Sequence, residues 1–186
     1  RDTLSFLSKT HKTKMTKKHY VFYNSIEKPE IRKDTIIAGI DQSYSHTAIT
    51  IGRKDKILAV KTIQTTPTKP IELRAIDIRD FILTALKEYQ VQHVIIEGLA
   101  FSSNQASAKQ LAGLLFIIIS SLYDNHYQYS IIPPSELKKH ATNKGNADKV
   151  EMIEAIPKET IQTLETLSNK KSTQKLFYDI SDSYHL

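Results

Sequence analysis

Residues 35–65 read TIIAGIDQSYSHTAITIGRKDKILAVKTIQT. The first six, TIIAGI, form a short apolar run rich in β-branched residues, the pattern of a strand buried on both faces. Residues 47–53 (TAITIGR) and 56–65 (KILAVKTIQT) alternate well enough to be two more strands, with GRKDK as the hairpin turn between them. Asp41 follows directly on the first apolar run, so its carboxylate is expected at or near a buried strand, where acids are rare unless paired or bound to metal.

Beyond the TPTKP break, residues 71–90 carry Leu73, Ile76, Phe81, Leu83 and Leu86 near helical spacing and are expected to form an amphipathic helix. Residues 91–98 (VQHVIIEG) read as a buried strand that ends in Glu97. Residues 103–125 read as a helix, apolar nearly all round between Leu111 and Ile119, which the sheet, another helix or a partner subunit must cover. Residues 127–134 (YQYSIIPP) give a fifth strand stopped by Pro133 and Pro134. Residues 135–156 give a short helix, a break at Gly145 and a second helix that Asn146 could cap. Residues 157–175 are polar and loosely patterned, a helical insertion or loop, and a closing helix begins near Phe177. Three antiparallel strands, a helix, a parallel strand, a helix, another strand and a final helix describe an α/β domain. Its five-stranded mixed sheet, flanked by helices, matches the ribonuclease H-like fold.

Composition narrows the chemistry. The 186 residues suit one domain with an appendage, and there are no cysteines. Disulfides, zinc–thiolate sites and thiol nucleophiles are thereby excluded, and the absence fits a reducing compartment. The longest uninterrupted apolar run, residues 114–119, falls far short of a membrane span, so no membrane partner is expected. The net charge is +6, and residues 1–34 hold nine Lys and Arg against four acids, leaving residues 35–186 nearly neutral. The expected organisation is a basic N-terminal arm over 1–34, disordered, DNA-binding or targeting, and a single α/β domain over 35–186. The chain opens on Arg1 rather than Met, as a fragment or processed form would.

Asp179 and Asp182 stand one helical turn apart in YDISDSYHL, an otherwise mainly apolar and aromatic stretch. On a helix they share a face, where like charges repel by a few tenths of a kcal/mol unless something offsets them. With Asp41 and Glu97 they make four acids in suggestive places. Any single one could be a hydrogen-bonded structural acid; all four together are harder to explain that way. Four hard carboxylates without Cys or clustered His favour Mg²⁺ or Mn²⁺ over zinc. Two such ions about 4 Å apart suit phosphodiester hydrolysis.

Four segments, IIAGIDQSYSHTAITIG, VIIEGLAFSSNQASAKQLAG, PPSELKKHATNKGNADKVEMIEA and YDISDSYHL, resemble the successive motifs of the RuvC-type Holliday junction resolvases, with the phage and poxvirus branch nearer than the bacterial one. The resemblance spans residues 35–156 and 177–186. It implies a Mg²⁺-dependent endonuclease, with Mn²⁺ able to substitute and two ions per active site, that nicks four-way or branched DNA as a homodimer. By the same resemblance Asp41, Glu97, Asp179 and Asp182 are metal ligands and catalytic residues. Lys138 and Lys149 contact the scissile backbone, with Lys149 also catalytic, and Phe101, Asn104 and Ser107 lie where DNA is met after Glu97. The bacterial aromatic falls one position before Phe101, at Ala100. The helix over 105–122 corresponds to the family's dimer helix. Only four residues follow Asp182, where the family's last helix runs on, as in a truncated C-terminus.

The ordinary alternatives are packing for Phe101 and a solvated helix face for Lys138 and Lys149. At the level of function they are a catalytically inactive or broader-specificity branched-nucleic-acid-binding protein, or an RNA–DNA hybrid nuclease of the same fold. A sugar-kinase or actin-type ATPase shares the GID opening but needs glycine-rich phosphate loops, and this chain has five glycines in all. The scattered histidines, His46 among them, carry no pattern in the sequence.

Overall fold

A computed structural model of the chain describes residues 22–23, 32, 34–54, 56–99 and 105–186. Its sheet consists of β1 (Phe22–Tyr23), β2 (Ile36–Asp41), β3 (His46–Arg53), β4 (Lys56–Gln64), β5 (His93–Glu97) and β6 (Gln128–Ile132). The helices are α1 (Ile71–Glu88), α2 (Gln105–Asp124), α3 (Pro134–Thr142), α4 (Lys149–Glu154), α5 (Lys158–Ser168) and α6 (Phe177–His185). The spatial order of strands is β1-β6-β5-β2-β3-β4. β2, β3 and β4 run antiparallel, whereas β2, β5 and β6 are mutually parallel. The five expected strands are therefore the body of a mixed sheet. The two-residue β1, from within the expected N-terminal arm, adds to its edge beside β6. The rest of that arm lies almost wholly outside the described residues.

Alternation along the strands builds two cores. Ala38 and Ile40 of β2, Ile49 and Ile51 of β3, and Val94 and Ile96 of β5 point to α1 and α2, where Ile78, Ile82, Leu86, Leu114, Ile118 and Leu122 complete one buried layer. The intervening residues Ala48 and Val60 point the other way, onto Ile156, Leu164, Phe177 and Ile180. Each fully buried aliphatic side chain contributes about 1.5–3 kcal/mol, so both helical layers are held to the sheet by many such contributions. Period-two alternation then places Gly39 and Asp41, and likewise Ile95 and Glu97, on the α6 side.

Three local expectations need correction. The buried face of α1 consists of Arg74, Ala75, Ile78, Ile82, Ala85 and Leu86. Leu73 and Ile76 are exposed, because small alanines let the helix sit close to the sheet along a stripe that apolar size alone does not mark. The cap of α4 is Asp148, not Asn146: its carboxylate accepts from the N–H groups of Val150 and Glu151, and Glu151 returns a bond to the Asp148 N–H. That capping box makes Lys149 the first residue of the helix. Finally, α2 is long and apolar enough over Ala106–Asp124 to cross a membrane by length and composition, which the uninterrupted run 114–119 does not suggest. Here one stripe of it, Leu114, Ile118 and Leu122, is buried against the domain, and most of the rest of the helix is not.

The polar segment 157–175 resolves into α5 and a following turn. Leu164 of α5 is fully buried, and Asn169 closes the helix with a left-handed backbone (φ 53°).

Candidate active site

Two parallel strands deliver the first pair of acids. β2 and β5 are paired in register as far as Ile40 and Ile96, so the next residues, Asp41 and Glu97, project side by side from the carboxyl ends of neighbouring strands. In open α/β sheets that end is where ligands bind. The two side chains stand close enough that the charge of Glu97 is, after burial, the next largest influence raising the pKa of Asp41. Gln42, itself buried, ties the site together from below by donating from Nε2 to the Glu97 carbonyl at 2.8 Å.

α6 brings the second pair. The helix lies so close to β2 that a Cβ on Gly39 would stand 2.1 Å from the Ser183 carbonyl oxygen. Thr50 and Ser183 join hydroxyls at 2.8 Å, and the His185 ring bonds the Met152 carbonyl of α4 at 2.8 Å. Phe177 and Ile180 are buried, so Asp179 and Asp182, offset from them, border the Asp41–Glu97 pair.

The electrostatics record this convergence. Asp41 is pushed well above its ordinary value, first by burial and then by the charges of Glu97, Asp182 and Asp179. Glu97 rises to about 7, by burial and then the charge of Asp182, against the opposing pull of its bond to Asp41, Lys138 and Lys149. Asp182 rises to about 6 through burial, with Asp179 adding to the rise and Lys149 and Lys138 opposing it. Asp179 is raised by burial and held down by Lys149, His46 and Lys175. The four sequence-predicted acids and the two predicted lysines thus occupy one neighbourhood. Lys149 approaches over the Tyr178 ring, its ammonium 5.2 Å from the centroid, from the capped start of α4. Lys138 comes from α3.

Among the described residues no three His, Asp or Glu side chains stand in a ready-made chelating arrangement. The acids are engaged with one another and with nearby basic groups: Asp41 with Glu97, and Asp179 with His46 and Lys149. The donor set nonetheless fits a hard divalent cation. Four carboxylates offer oxygen ligands, and at neutral pH burial and mutual repulsion keep protons among them that a cation would displace.

Of the remaining predicted positions, Ser107 lies exposed near the start of α2, while Phe101 and Asn104 fall outside the described residues. Sequence reasoning passed over His46, whose Nδ1 is 3.6 Å from the Asp179 carboxylate. Only the hairpin register reveals it: Asp41 pairs with Ala48, and His46, two residues earlier, shares the α6 side with Ala48 and Thr50. Tyr178, beneath Lys149, was passed over as well.

Comparison with known proteins places this geometry. A family model described as Crossover junction endodeoxyribonuclease RuvC matches residues 37–174, most of the chain. The Brachyspira hyodysenteriae protein of that name is 34% identical over 80 residues, which cover 41% of this chain and 50% of that one. The aligned part is therefore half the relative's length. The Thermus thermophilus RuvC structure superposes with a TM-score of 0.60 at 16% identity, covering 81% of this chain and 92% of that chain. The fowlpox virus resolvase in complex with Holliday junction DNA superposes with a TM-score of 0.51 at 19% identity, covering 82% and 93%. At these identities the structural matches establish the shared fold.

Proposed function

The chain belongs to the crossover junction endodeoxyribonuclease RuvC family, and from that premise we propose that it is a metal-dependent endonuclease cutting four-way or related branched DNA at the carboxylate cluster of β2, β5 and α6. The observation that carries the reading is the convergence of Asp41, Glu97, Asp179 and Asp182 from three separate elements at the carboxyl ends of two parallel strands.

Nucleases of this family depend on metal. Here the ions are Mg²⁺, replaceable by Mn²⁺, and two per site. They would be held by Asp41, Glu97, Asp179 and Asp182. When bound, they supply the charge that polarises the scissile phosphate and acidifies the attacking water. The chain's own groups do the rest. Asp41 and Glu97, both raised by burial, would give up protons to serve as oxygen ligands. Lys149, steered over Tyr178, and Lys138 offset the phosphate charge. The fixed seat of α6 on Gly39 sets the spacing between the two acid pairs. Water attack on phosphorus leaves a 5′-phosphate and a 3′-hydroxyl.

Binding two equivalent strands of a junction calls for two such sites. α2 carries an exposed stripe of Lys109, Gly113, Phe116, Ser120 and Tyr123, spaced at alternating fours and threes, with Phe116 73% and Tyr123 68% exposed. Large apolar groups repeated on an uncovered face at this spacing fit a second copy of the same helix, and a homodimer joined along α2 is part of the proposal. The basic segment 1–34 serves as a further polyanion-binding arm of the same enzyme.

The decisive experiment is a Mg²⁺-dependent nicking assay on a labelled immobile four-way junction, read at nucleotide resolution. Paired, symmetrically placed nicks that chelator abolishes are expected. Cleavage of an RNA–DNA hybrid in preference to the junction, or no cleavage of either with Mg²⁺ or Mn²⁺, would overturn the reading.

A further inference from the structure

We propose that His46 is a positioning residue of the acid cluster, holding the Asp179 carboxylate in place from a turn that buried Arg74 braces against α1. The proposal rests on the reading of the four acids as an ion-binding cluster and adds to it the element that orders one of its members.

His46 begins β3, and the turn that presents it is closed from within. The Ser43 hydroxyl donates to the His46 carbonyl at 2.6 Å and accepts from the His46 N–H at 3.0 Å. The Thr47 hydroxyl donates to the Ser43 carbonyl at 3.0 Å and accepts from the Ser43 N–H at 3.3 Å. Two small hydroxyl residues thus satisfy the backbone of both ends of a five-residue turn, the local bonding that Ser and Thr favour outside regular elements.

The turn is also held from outside. Arg74 of α1 is 9% exposed. Its Nη2 donates to the Tyr44 carbonyl at 2.8 Å and its Nε to the Thr65 hydroxyl at 2.7 Å. The guanidinium lies over the Tyr44 ring, 5.3 Å from the centroid. The Thr65 hydroxyl bonds the same Tyr44 carbonyl, and the Thr65 N–H reaches the Ser45 carbonyl at 3.3 Å. Among the described residues Arg74 forms no ion pair with a carboxylate, so its charge is buried against neutral oxygens and an aromatic face. A buried cation is costly unless fully hydrogen-bonded. What this one secures is the conformation of residues 44–45, the link between Asp41 and His46.

At the far end of this chain of contacts stands Asp179, on the first turn of α6 and 3.6 Å from His46 Nδ1. Its other main basic neighbour, Lys149, is exposed and arrives on a long flexible side chain. His46 is the neighbour from the sheet itself. It therefore fixes Asp179 relative to Asp41, which leaves the same hairpin two strand positions away on the same side. Partners that orient a ligand carboxylate typically change metal affinity 10–100-fold when removed.

The test titrates Mn²⁺ and Mg²⁺ separately into wild type, His46→Ala and His46→Asn, by calorimetry and, for Mn²⁺, by loss of the free-ion paramagnetic signal. Thermal melting in chelator accompanies each variant. Expected is a loss of about tenfold or more in affinity for both ions in His46→Ala, with an unchanged chelator melting temperature. His46→Asn, which sets an amide nitrogen near the position of Nδ1, recovers most of the affinity. Unchanged affinity in His46→Ala overturns the positioning role. So does loss of Mn²⁺ affinity with Mg²⁺ affinity intact, which would make the imidazole a ligand in its own right. Absence of ion binding in wild type would instead overturn the underlying reading of the acid cluster, so the two failures are distinct.

Discussion

At the residue scale the site is a cluster of acids whose charges are held off by burial and by one another, and that has a thermodynamic consequence. Glu97 titrates at about 7 in the fold against an ordinary 4.5, and Asp41 is raised well above 3.8. Groups whose folded pKa is raised bind more protons folded than unfolded, so they stabilise below the unfolded pKa and lose that contribution as pH rises through the folded one. His93 and His185 are lowered by burial and act with the opposite sign, but their effect is tapering off at about pH 6.5 and over by about pH 7.5. Glu97 titrates in the fold across that range, so from pH 6.5 to 8 the Asp41–Glu97 pair outweighs them. Metal-free protein should therefore melt at progressively lower temperature across that interval, and Mg²⁺ at pH 8 should restore the loss. Asp41→Asn should flatten the profile, raise the chelator melting temperature at pH 8 and abolish nicking while leaving junction binding in Ca²⁺ intact. Melting that rises from pH 6.5 to 8, or parallel loss of binding and cutting, would show Asp41 to be structural. Lys149→Ala should weaken junction binding with a shallower dependence on salt, by about one counterion; an unchanged salt slope would count against a phosphate contact. The acids were legible because each interrupts or ends an apolar pattern. His46 was not, because its meaning depends on hairpin register.

At the scale of elements, the strands and helices follow from periodicity, while their contacts depend on small residues that periodicity hides. α1 turns Ala75 and Ala85 inward and leaves Leu73 and Ile76 at the surface, a choice set by how near the helix must come to the sheet. Asn146 and Asp148 are both competent caps, and only Asp148 has a glutamate three residues on to complete the box. Gly39 is the sharpest case. Nothing in IIAGID announces a helix crossing, yet α6 rests on that glycine. A Cβ there would have to displace the helix backbone, since the obstructing atom is the Ser183 carbonyl oxygen. Gly39→Ala should thus cost about 1–3 kcal/mol of stability as an overpacked contact and move Asp179 and Asp182 away from Asp41 and Glu97. Denaturant melts and Mn²⁺ titration should show metal affinity lost even under conditions where the variant is fully folded. Full affinity in a folded Gly39→Ala protein would mean that α6 is not what sets the spacing of the acids.

At the scale of the whole molecule, one helix is required to do two things. α2 buries Leu114, Ile118 and Leu122 in the domain core while its opposite face leaves Phe116 and Tyr123 uncovered. The sequence showed a helix apolar nearly all round but could not divide that surface between the sheet and a second subunit, because both accept the same residues. The fold makes the division: whatever covers Phe116 is not the described part of this chain. Gly113 has open space where a side chain would be, so a second helix could approach closely at that point, with Phe116 one turn beyond. Phe116→Glu places a charge in the middle of this stripe without touching the core beneath. It should leave the melting temperature of the domain near that of the parent at high dilution, yet shift the sedimentation coefficient at micromolar concentration from dimer to monomer. Ion binding, which depends on one subunit's acids, should persist. Paired cutting should not: products from a junction carried on a supercoiled plasmid should change from linear, cut on both strands within one binding event, to nicked circles. A variant that stays dimeric, or a monomer that still linearises the plasmid at the parental rate, would place the subunit contact, or the need for one, elsewhere than α2.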